Sequence, residues 1–224
     1  MLCMLNRTKY FRKLCLSGSF LLGLLSLSSI ANAQFIGINA DVAIDYSAAP
    51  GSVSGYSVGI SHPAPFIPNI GYSSVSFKDK DTITDSSEST SSVLLETTTT
   101  IKTINLFYNI PFPVVTITVG FGYGSDNLNT GVETKTTIVE TFEGGTPKAQ
   151  QTSDLETSVS VSEVFFHIGL PFWNTVEFHL GYHLMSFTSI DLTSNKSGSN
   201  FEGTYNTKKN YSGGMTTIGV QVAF

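Results

Sequence analysis

The chain ends in Ile218-Gly219-Val220-Gln221-Val222-Ala223-Phe224, the stretch that is most informative about the fold. Successive side chains of a β-strand point to opposite sides, so the sequence separates into two faces. Apolar residues alternate with small or polar ones: Ile218, Val220, Val222 and Phe224 against Gly219, Gln221 and Ala223. The alternation predicts a β-strand whose two faces meet different environments.

A terminal aromatic residue after alternating apolar residues resembles the C-terminal signature of bacterial outer-membrane β-barrel proteins. In that family the barrel-assembly machinery recognises the signature during insertion. The resemblance implies this role for four residues: Ile218, Val220, Val222 and Phe224. In such a barrel the apolar face meets lipid and the polar face meets the lumen. The alternative is a half-buried strand at the end of a soluble β-sandwich, because period-two strands also occur in soluble proteins.

The N-terminus has the features of a secretory signal peptide, predicted for residues 1–33. Four basic residues come first, namely Arg7, Lys9, Arg12 and Lys13. A largely apolar stretch follows, and Ala31 and Ala33 provide the small residues of a cleavage site before Gln34. The remaining domain, residues 34–224, is therefore expected to be exported.

The composition of the exported domain argues against disulfide bonds and against nucleic-acid binding. Both cysteines, Cys3 and Cys15, lie in the signal peptide, so we expect no disulfide in the mature chain. Removing the four basic residues of that segment from the 12 in the chain leaves 8 against 17 acidic residues, a formal charge of −9. No arginine remains. An acidic chain without arginine is a poor partner for nucleic acid.

The alternation of apolar and polar residues recurs along the whole exported domain. No run approaches the roughly 20 apolar residues of a transmembrane helix, and only helices and closed barrels satisfy their backbone groups in lipid. With the last strand, we count eight predicted strands, the others lying near residues 36–45, 55–61, 70–77, 93–110, 115–124, 163–170 and 176–185. The sequence predicts an all-β fold, an antiparallel, up-and-down, eight-stranded transmembrane barrel.

The predicted connections alternate in kind. Short ones contain proline and aromatic residues, namely 63–68, 111–113 and 171–173. Long polar ones follow the third, fifth and seventh strands, namely 78–92, 125–157 and 189–210. This arrangement is typical of an outer-membrane barrel with periplasmic termini and long extracellular loops. The chain thus resembles the small barrels typified by OmpX, OmpW and the OmpA transmembrane domain, with outer-membrane lipid and the assembly machinery as expected partners.

The same alternation predicts a cluster of acids and imidazoles in the lumen: Asp41, Asp45, Glu163, His167, Glu177, His179 and His183. His167 should lie opposite Glu177 or His179, depending on the register. A metal ion is one interpretation of the cluster. However, His179 and His183 would be about 13 Å apart along one strand. The favoured interpretation is that acids and imidazoles satisfy one another, so no metal and no cofactor is expected.

Two further functions depend on which way these side chains face. A lipid A-modifying enzyme, acyltransferase or deacylase, would need histidine and serine together on the lipid-facing surface, whereas Ser186 falls on the face opposite His183. We therefore expect no enzyme. The alternative is an OmpW-like passage for small hydrophobic molecules, indicated by Phe107, Phe165, Met185 and Phe187 on inward positions.

The fourth predicted strand is too long for a membrane. Residues 93–109 would span about 56 Å, against about 30 Å for the hydrocarbon core. Its outer end, residues 96–102, should pair with 132–142, which turns near 143–147 and returns to Val161. The sequence predicts a β-ribbon above the barrel whose edge could pair with a surface protein, giving a structural or surface-interaction role, including an adhesive one. The alternative is a solvated loop without a partner.

Overall fold

The computed structural model of the protein describes residues 36–64, 66–84, 91–143, 146–147, 151–173, 175–196 and 203–224. The predicted signal peptide lies outside this part of the chain, together with its cleavage residues Ala31, Ala33 and Gln34. Among the described residues, no helix has the length and apolar character that crossing a membrane requires.

The described residues form thirteen strands and one short 3₁₀ helix, Asp126–Leu128. The strands are β1 (Gly37–Tyr46), β2 (Val53–Ser61), β3 (Asn69–Thr84), β4 (Ser91–Pro111), β5 (Thr116–Gly124), β6 (Gly131–Glu143), β7 (Thr146–Pro147), β8 (Gln151–Val159), β9 (Val161–Trp173), β10 (Val176–Phe187), β11 (Ile190–Lys196), β12 (Gly203–Lys209) and β13 (Gly213–Ala223).

Eight of these strands close into an antiparallel barrel in the order β1, β2, β3, β4, β5, β9, β10, β13. Each pairs with the barrel strand before and after it, and β13 pairs back onto β1. At the seam, the Phe224 N–H donates to the Ile36 carbonyl at 2.8 Å. The predicted eight-stranded barrel is therefore confirmed, with the last strand closing it. We refer to the end that carries Ile36 and Phe224 as the terminal end, and to the other as the sheet end.

The outer surface of the barrel is an apolar band. Every barrel strand contributes exposed apolar side chains, for example Ile38, Ile60, Ile70, Leu106, Phe121, Ile168, Leu180 and Val220. Exposing such a surface to water is unfavourable, whereas lipid tails accept it. The band thus identifies lipid as the medium around the eight strands.

Aromatic side chains mark both borders of the band. At the terminal end, Phe112, Phe172, Trp173 and Phe224 are exposed. Towards the sheet end, four strands carry outward tyrosines: Tyr56, Tyr72, Tyr123 and Tyr182. Ile104 of β4 pairs with both Tyr72 and Tyr123. Rings with an apolar body and a polar tip favour the membrane–water interface. Phe224, the last residue of the chain, belongs to the first girdle.

Beyond the tyrosines, the outward faces of β3 and β4 become polar. On β3, Ser74, Ser76 and Lys78 follow Tyr72, and on β4 the outward positions from Lys102 to Glu96 are polar. The 21 residues of β4 extend about 69 Å at about 3.3 Å per residue, well beyond a hydrocarbon core of about 30 Å. Both strands therefore leave the membrane at the sheet end.

Above that border β3, β4, β6 and β8 continue as one antiparallel sheet. Residues 91–102 of β4 pair with 131–143 of β6, and Val132 to Ile138 of β6 pair with β8. The predicted pairing of 96–102 with 132–142 is confirmed. The predicted long connections 78–92, 125–157 and 189–210 contain strands, namely the predicted ribbon within 125–157, the end of β3, and the hairpin of β11 and β12. Their Thr and Ser content was compatible with either state.

An apolar cluster fills the interior at the sheet end. It contains Tyr46, Val75, Phe77, Ile101, Val132, Val161, Met185, Phe187, Ile190, Tyr211 and Met215. Phe77 packs between two tyrosines, with ring centroids 5.5 Å from Tyr46 and 5.0 Å from Tyr211. The Tyr46 hydroxyl donates to the Tyr211 carbonyl. The cluster includes residues of the barrel wall and of the sheet formed by β3, β4, β6 and β8, which we call the projecting sheet. The barrel and the projecting sheet therefore share a core.

Because β4 crosses the border of the apolar band, a lysine substitution should destabilise the barrel by different amounts on the two sides of that border. Leu106→Lys places a charge in the apolar band and should destabilise the barrel by about 2–4 kcal/mol. Thr100→Lys lies on the same face of the same strand but beyond the band, and should cost less than about 1 kcal/mol. Urea unfolding in phospholipid vesicles, followed by the fluorescence of the single tryptophan, measures both. Equal costs would contradict the proposed lipid border.

Candidate functional site

The lumen brings together most of the predicted polar cluster. Asp41, Glu163, His167, His179 and His183 are buried at 5% exposure or less. Glu177 also points inward, with 14% of its side chain exposed near the terminal end. Three of the four histidines are thus inside the barrel, as the strand alternation predicts, and they come from the neighbouring strands β9 and β10.

Asp45 is the exception, and its predicted place in the lumen is wrong. Ala43 pairs with Thr217 and Asp45 with Thr216, so β1 carries one more residue than β13 across this step. Such a β-bulge reverses the alternation that follows it. Asp45 is therefore exposed, whereas Tyr46 points inward and joins the apolar cluster.

The histidine register also differs from both predicted alternatives. His167 lies opposite Gly181, and His179 lies opposite Gly169. Strand β9 continues to Trp173, through the segment predicted as a turn, and an irregularity at Val176 and Glu177 shifts the pairing. His167 is consequently the diagonal neighbour of both His179 and His183, with ring centroids 5.9 and 5.0 Å away.

One hydrogen-bonded network surrounds Glu163. Its Oε2 accepts from the Thr103 hydroxyl at 2.5 Å, and its Oε1 lies 2.5 Å from His183 Nδ1. Thr103 and Ser73 also bond to Asn105, which extends the network to β3. Four strands are linked inside the barrel, and this half of the cluster follows the expectation that acids and imidazoles satisfy one another.

In the other half of the polar cluster, several buried polar atoms have no hydrogen-bond partner. Both carboxylate oxygens of Asp41, His167 Nδ1 and His179 Nδ1 have no hydrogen-bond partner. Asp41 Oδ1 is 3.7 Å from His179 Nδ1, too long for a hydrogen bond, and the ligand atoms of the three residues lie within 4.8 Å of one another. The expected mutual satisfaction is therefore wrong for Asp41, His167 and His179. These are the residues that could hold a metal ion.

Glycines on adjacent strands provide the room for these side chains. A Cβ at Gly219 would overlap Asp41 Oδ1, and a Cβ at Gly181 would overlap the His167 ring. A Cβ at Gly169 would overlap the Glu177 carboxylate. Inward glycines that alternate with lipid-facing residues were the sequence signal for a crowded polar lumen, since a small neighbour admits a large side chain.

The inward aromatic residues pack against this cluster. Phe165 stacks on the His183 ring with centroids 4.9 Å apart, and Phe107 lies 6.4 Å from Phe165. Met185 and Phe187 belong to the apolar cluster above them. Ser186 faces outward, on the side opposite His183, as predicted.

Charged residues cover the outward face of the projecting sheet. Lys78 donates to Glu96 at 2.8 Å, and this hydrogen bond holds the pKa of Glu96 below its usual value. Lys80 lies 3.6 Å from the same carboxylate. Lys102 contacts both oxygens of Glu133, at 2.7 and 2.8 Å. The face is thus a ladder of ion pairs across β3, β4 and β6, suited to water rather than lipid.

The base of the β11–β12 hairpin is attached to β3 by a second charged group. Lys209 contacts Asp79 at 3.0 Å and also Asp81. Burial lowers the pKa of Lys209, but hydrogen bonds to Asp81 and Asp79 outweigh it and raise that pKa. The Tyr211 hydroxyl donates to Asp79 at 2.9 Å, and burial with this acid raises the pKa of Tyr211. The amine therefore stays charged, and the hydroxyl protonated, through the physiological range.

No protein-family model matches the chain, and no curated protein matches its sequence. Among solved structures, a major outer membrane protein from Thermus thermophilus is 11% identical with a TM-score of 0.52, covering 86% of this chain and 100% of that chain. Neisserial surface protein A is 14% identical with a TM-score of 0.41, over 84% and 96%. OprG from Pseudomonas aeruginosa is 9% identical with a TM-score of 0.45, over 86% and 96%.

The similarity to the Thermus protein concerns the fold, since the identity is low. Together with the closed eight-stranded barrel, it confirms the predicted resemblance to outer-membrane barrel proteins. The apolar band and this fold place the chain in an outer membrane.

Glu163 and Glu133 each pair with another side chain, but Glu163 is buried and Glu133 is exposed, so removing them should cost different amounts of stability. Glu163→Ala leaves Thr103 and His183 without their partner inside the barrel and should cost about 3–5 kcal/mol. Glu133→Ala breaks the exposed pair with Lys102 and should cost at most about 1 kcal/mol. Thermal or urea unfolding in vesicles measures both. Similar costs would show that the Glu163 network contributes nothing through burial.

Proposed function

We propose that the chain is a surface-interaction protein of the outer membrane, with an adhesive role, whose sheet of β3, β4, β6 and β8 is the docking surface. The observation that carries the proposal is the continuation of β3 and β4 beyond the apolar band, where their outward faces become polar and charged. A structure that only spans the bilayer has no need of strands about twice as long as the bilayer is thick.

The orientation of the barrel supports this role. At the terminal end, β4 and β5 are joined by residues 112–115, and β9 and β10 by residues 174–175. Outer-membrane barrels have short connections on the periplasmic side and longer structures on the outside. We therefore propose that the termini face the periplasm and the projecting sheet faces the exterior.

The sheet is a preformed surface. Its inner face carries Val75, Ile101 and Val132, which are buried in the apolar cluster at 1% exposure or less. Binding to an ordered surface requires less loss of conformational entropy than binding to a flexible loop. The shared core thus favours a docking role over a solvated loop without a partner.

The edge of β3 suggests how a partner would bind. Strand β2 pairs with β3 only as far as Phe77, so in the described residues 78–84 pair on one side alone, with β4. An open edge offers backbone donors and acceptors to an added strand. Lys78 and Lys80 stand outward along this edge, with about two thirds of each side chain exposed. The proposed partner is an extended segment of a surface or matrix protein.

Shortening the sheet tests the proposal. In the test variant, Asn-Gly replaces residues 138–153, which keeps the pairs Thr136 with Leu155 and Val132 with Val159. The replacement removes the β6 partners of residues 91–94 of β4, of which 92–94 in turn pair with residues 82–84 at the edge of β3. Cells that produce the intact chain should adhere to immobilised extracellular-matrix proteins, and the test variant should adhere no better than cells without the chain. A matched control replaces residues 196–203 at the tip of the β11–β12 hairpin and should leave adhesion intact. Full adhesion by both variants would contradict the proposal.

Labelling of whole cells separates a failure of binding from a failure of orientation. Lys80→Cys lies on the projecting sheet and Val114→Cys in a terminal-end turn, and both positions are exposed. A membrane-impermeant maleimide should label only Lys80→Cys on intact cells and both variants after lysis. Labelling of Val114→Cys alone on intact cells would reverse the barrel and refute the exterior position of the sheet.

A further inference from the structure

We propose that Asp41, His167 and His179 bind one divalent transition-metal ion of the Zn²⁺ class inside the barrel. The three residues come from β1, β9 and β10 and are 2%, 1% and 5% exposed. One ligand atom from each lies within 4.8 Å of the other two. This site is separate from the projecting sheet and does not depend on the proposed surface function.

Hydrogen bonds fix the tautomer of His167. Glu163 can only accept as a carboxylate, so His183 Nδ1 donates to it at 2.5 Å. In the neutral ring of His183, Nε2 is then an acceptor, and it lies 3.0 Å from His167 Nε2. His167 Nε2 must therefore carry the proton in that pair. His167 Nδ1 consequently holds a lone pair, and it has no hydrogen-bond partner in the structure.

The tautomer of His179 follows in the same way. Its Nε2 donates to Glu177 Oε1 at 2.8 Å, so the neutral ring presents its Nδ1 lone pair to Asp41. Both Nδ1 atoms and both Asp41 oxygens lack a hydrogen-bond partner. With His179 neutral these acceptors have no donor among them, and a desolvated carboxylate costs several kcal/mol. A shared cation satisfies all of them.

The outer hydrogen bonds also match those of metal sites. A histidine that binds a metal through one nitrogen usually donates its other N–H to a carboxylate or another acceptor. Here Glu177 accepts from His179, and the His183–Glu163 pair accepts from His167. Each imidazole is thus held through its Nε2, while its Nδ1 is left without a hydrogen-bond partner.

The donor set selects the class of metal. Two imidazole nitrogens and one carboxylate suit zinc, with a water molecule as the fourth ligand. Ca²⁺ and Mg²⁺ prefer oxygen ligands alone. Copper(I) prefers sulfur, and none of the three candidate ligands offers a sulfur atom.

Backbone placement explains how the three side chains meet. Gly219 on β13 pairs with Asp41 on one side and His179 on the other, and a Cβ there would overlap Asp41 Oδ1. The missing side chain lets the two ligands approach across β13. An ion at this position links strands on both sides of β13, so its binding stabilises the closed barrel through mass action.

Metal content of the folded protein tests the proposal. Untagged protein, folded in detergent, is dialysed against a chelator, equilibrated with ZnCl₂, desalted and analysed by mass spectrometry for zinc. One zinc per chain is expected for the unmodified chain and for His62→Gln, which removes the histidine outside the cluster. Asp41→Asn and His179→Gln should lose the ion. Glu177→Gln, which alters a positioning residue, should weaken zinc affinity about 10–100-fold.

Two further readouts keep the test independent of misfolding. The slower migration of heated than unheated protein in electrophoresis reports whether each variant has folded. Zinc should raise the unfolding temperature of the unmodified chain, and Co²⁺ in its place should give the intense visible bands of four-coordinate cobalt. Folded unmodified protein without zinc, with the same unfolding temperature in chelator and in ZnCl₂, would overturn the proposal. Equal zinc content in folded Asp41→Asn and His62→Gln would overturn it as well.

Discussion

In the hydrocarbon core of a membrane, each unpaired peptide N–H or C=O costs several kcal/mol, and no water is present to satisfy it. The pairing of β13 with β1 removes this cost, because it closes the ladder of the eight barrel strands and leaves no open edge within the apolar band. Every other feature follows from closure. Once the ladder is closed, the alternation of side chains divides each strand into a lipid face and a lumen face. The exposed apolar band and the buried polar lumen are two results of one backbone constraint.

Closure also sets the chemistry of the interior. Eight strands enclose a space just wide enough for side chains, so large polar residues fit only opposite small ones. Gly219, Gly181 and Gly169 meet this condition beside Asp41, His167 and Glu177. The result is a desolvated cluster in which Glu163 and His183 are satisfied and Asp41, His167 and His179 are not. At the sheet end the inward residues are apolar, and they join the barrel to the projecting sheet.

The features that could be predicted from the sequence are those that depend on the alternation of side chains along a strand. The eight barrel strands, their lipid faces and the inward position of three histidines all follow from residues such as Phe166 and His167 on opposite faces. It did not predict the bulge near Ile44, which turns Asp45 outward, because an extra residue in one strand has no signature without its partner. The convergence on Asp41 depended on the register of β9 and β10, which one irregularity at Val176 shifted. The polar end of β3, residues 78–84, was predicted as part of a loop because its outward side chains face water and lack the apolar alternation of a lipid-facing strand.

The central claim is that lipid is the solvent of the apolar band on a closed barrel. Electrophoresis of outer-membrane fractions, with and without boiling in detergent, tests it most directly. We predict that the unboiled chain resists the detergent and migrates differently from the boiled chain, because a closed ladder of eight strands has no edge at which to unravel. A chain found in the periplasmic extract without detergent, with the same mobility before and after boiling, would contradict the account.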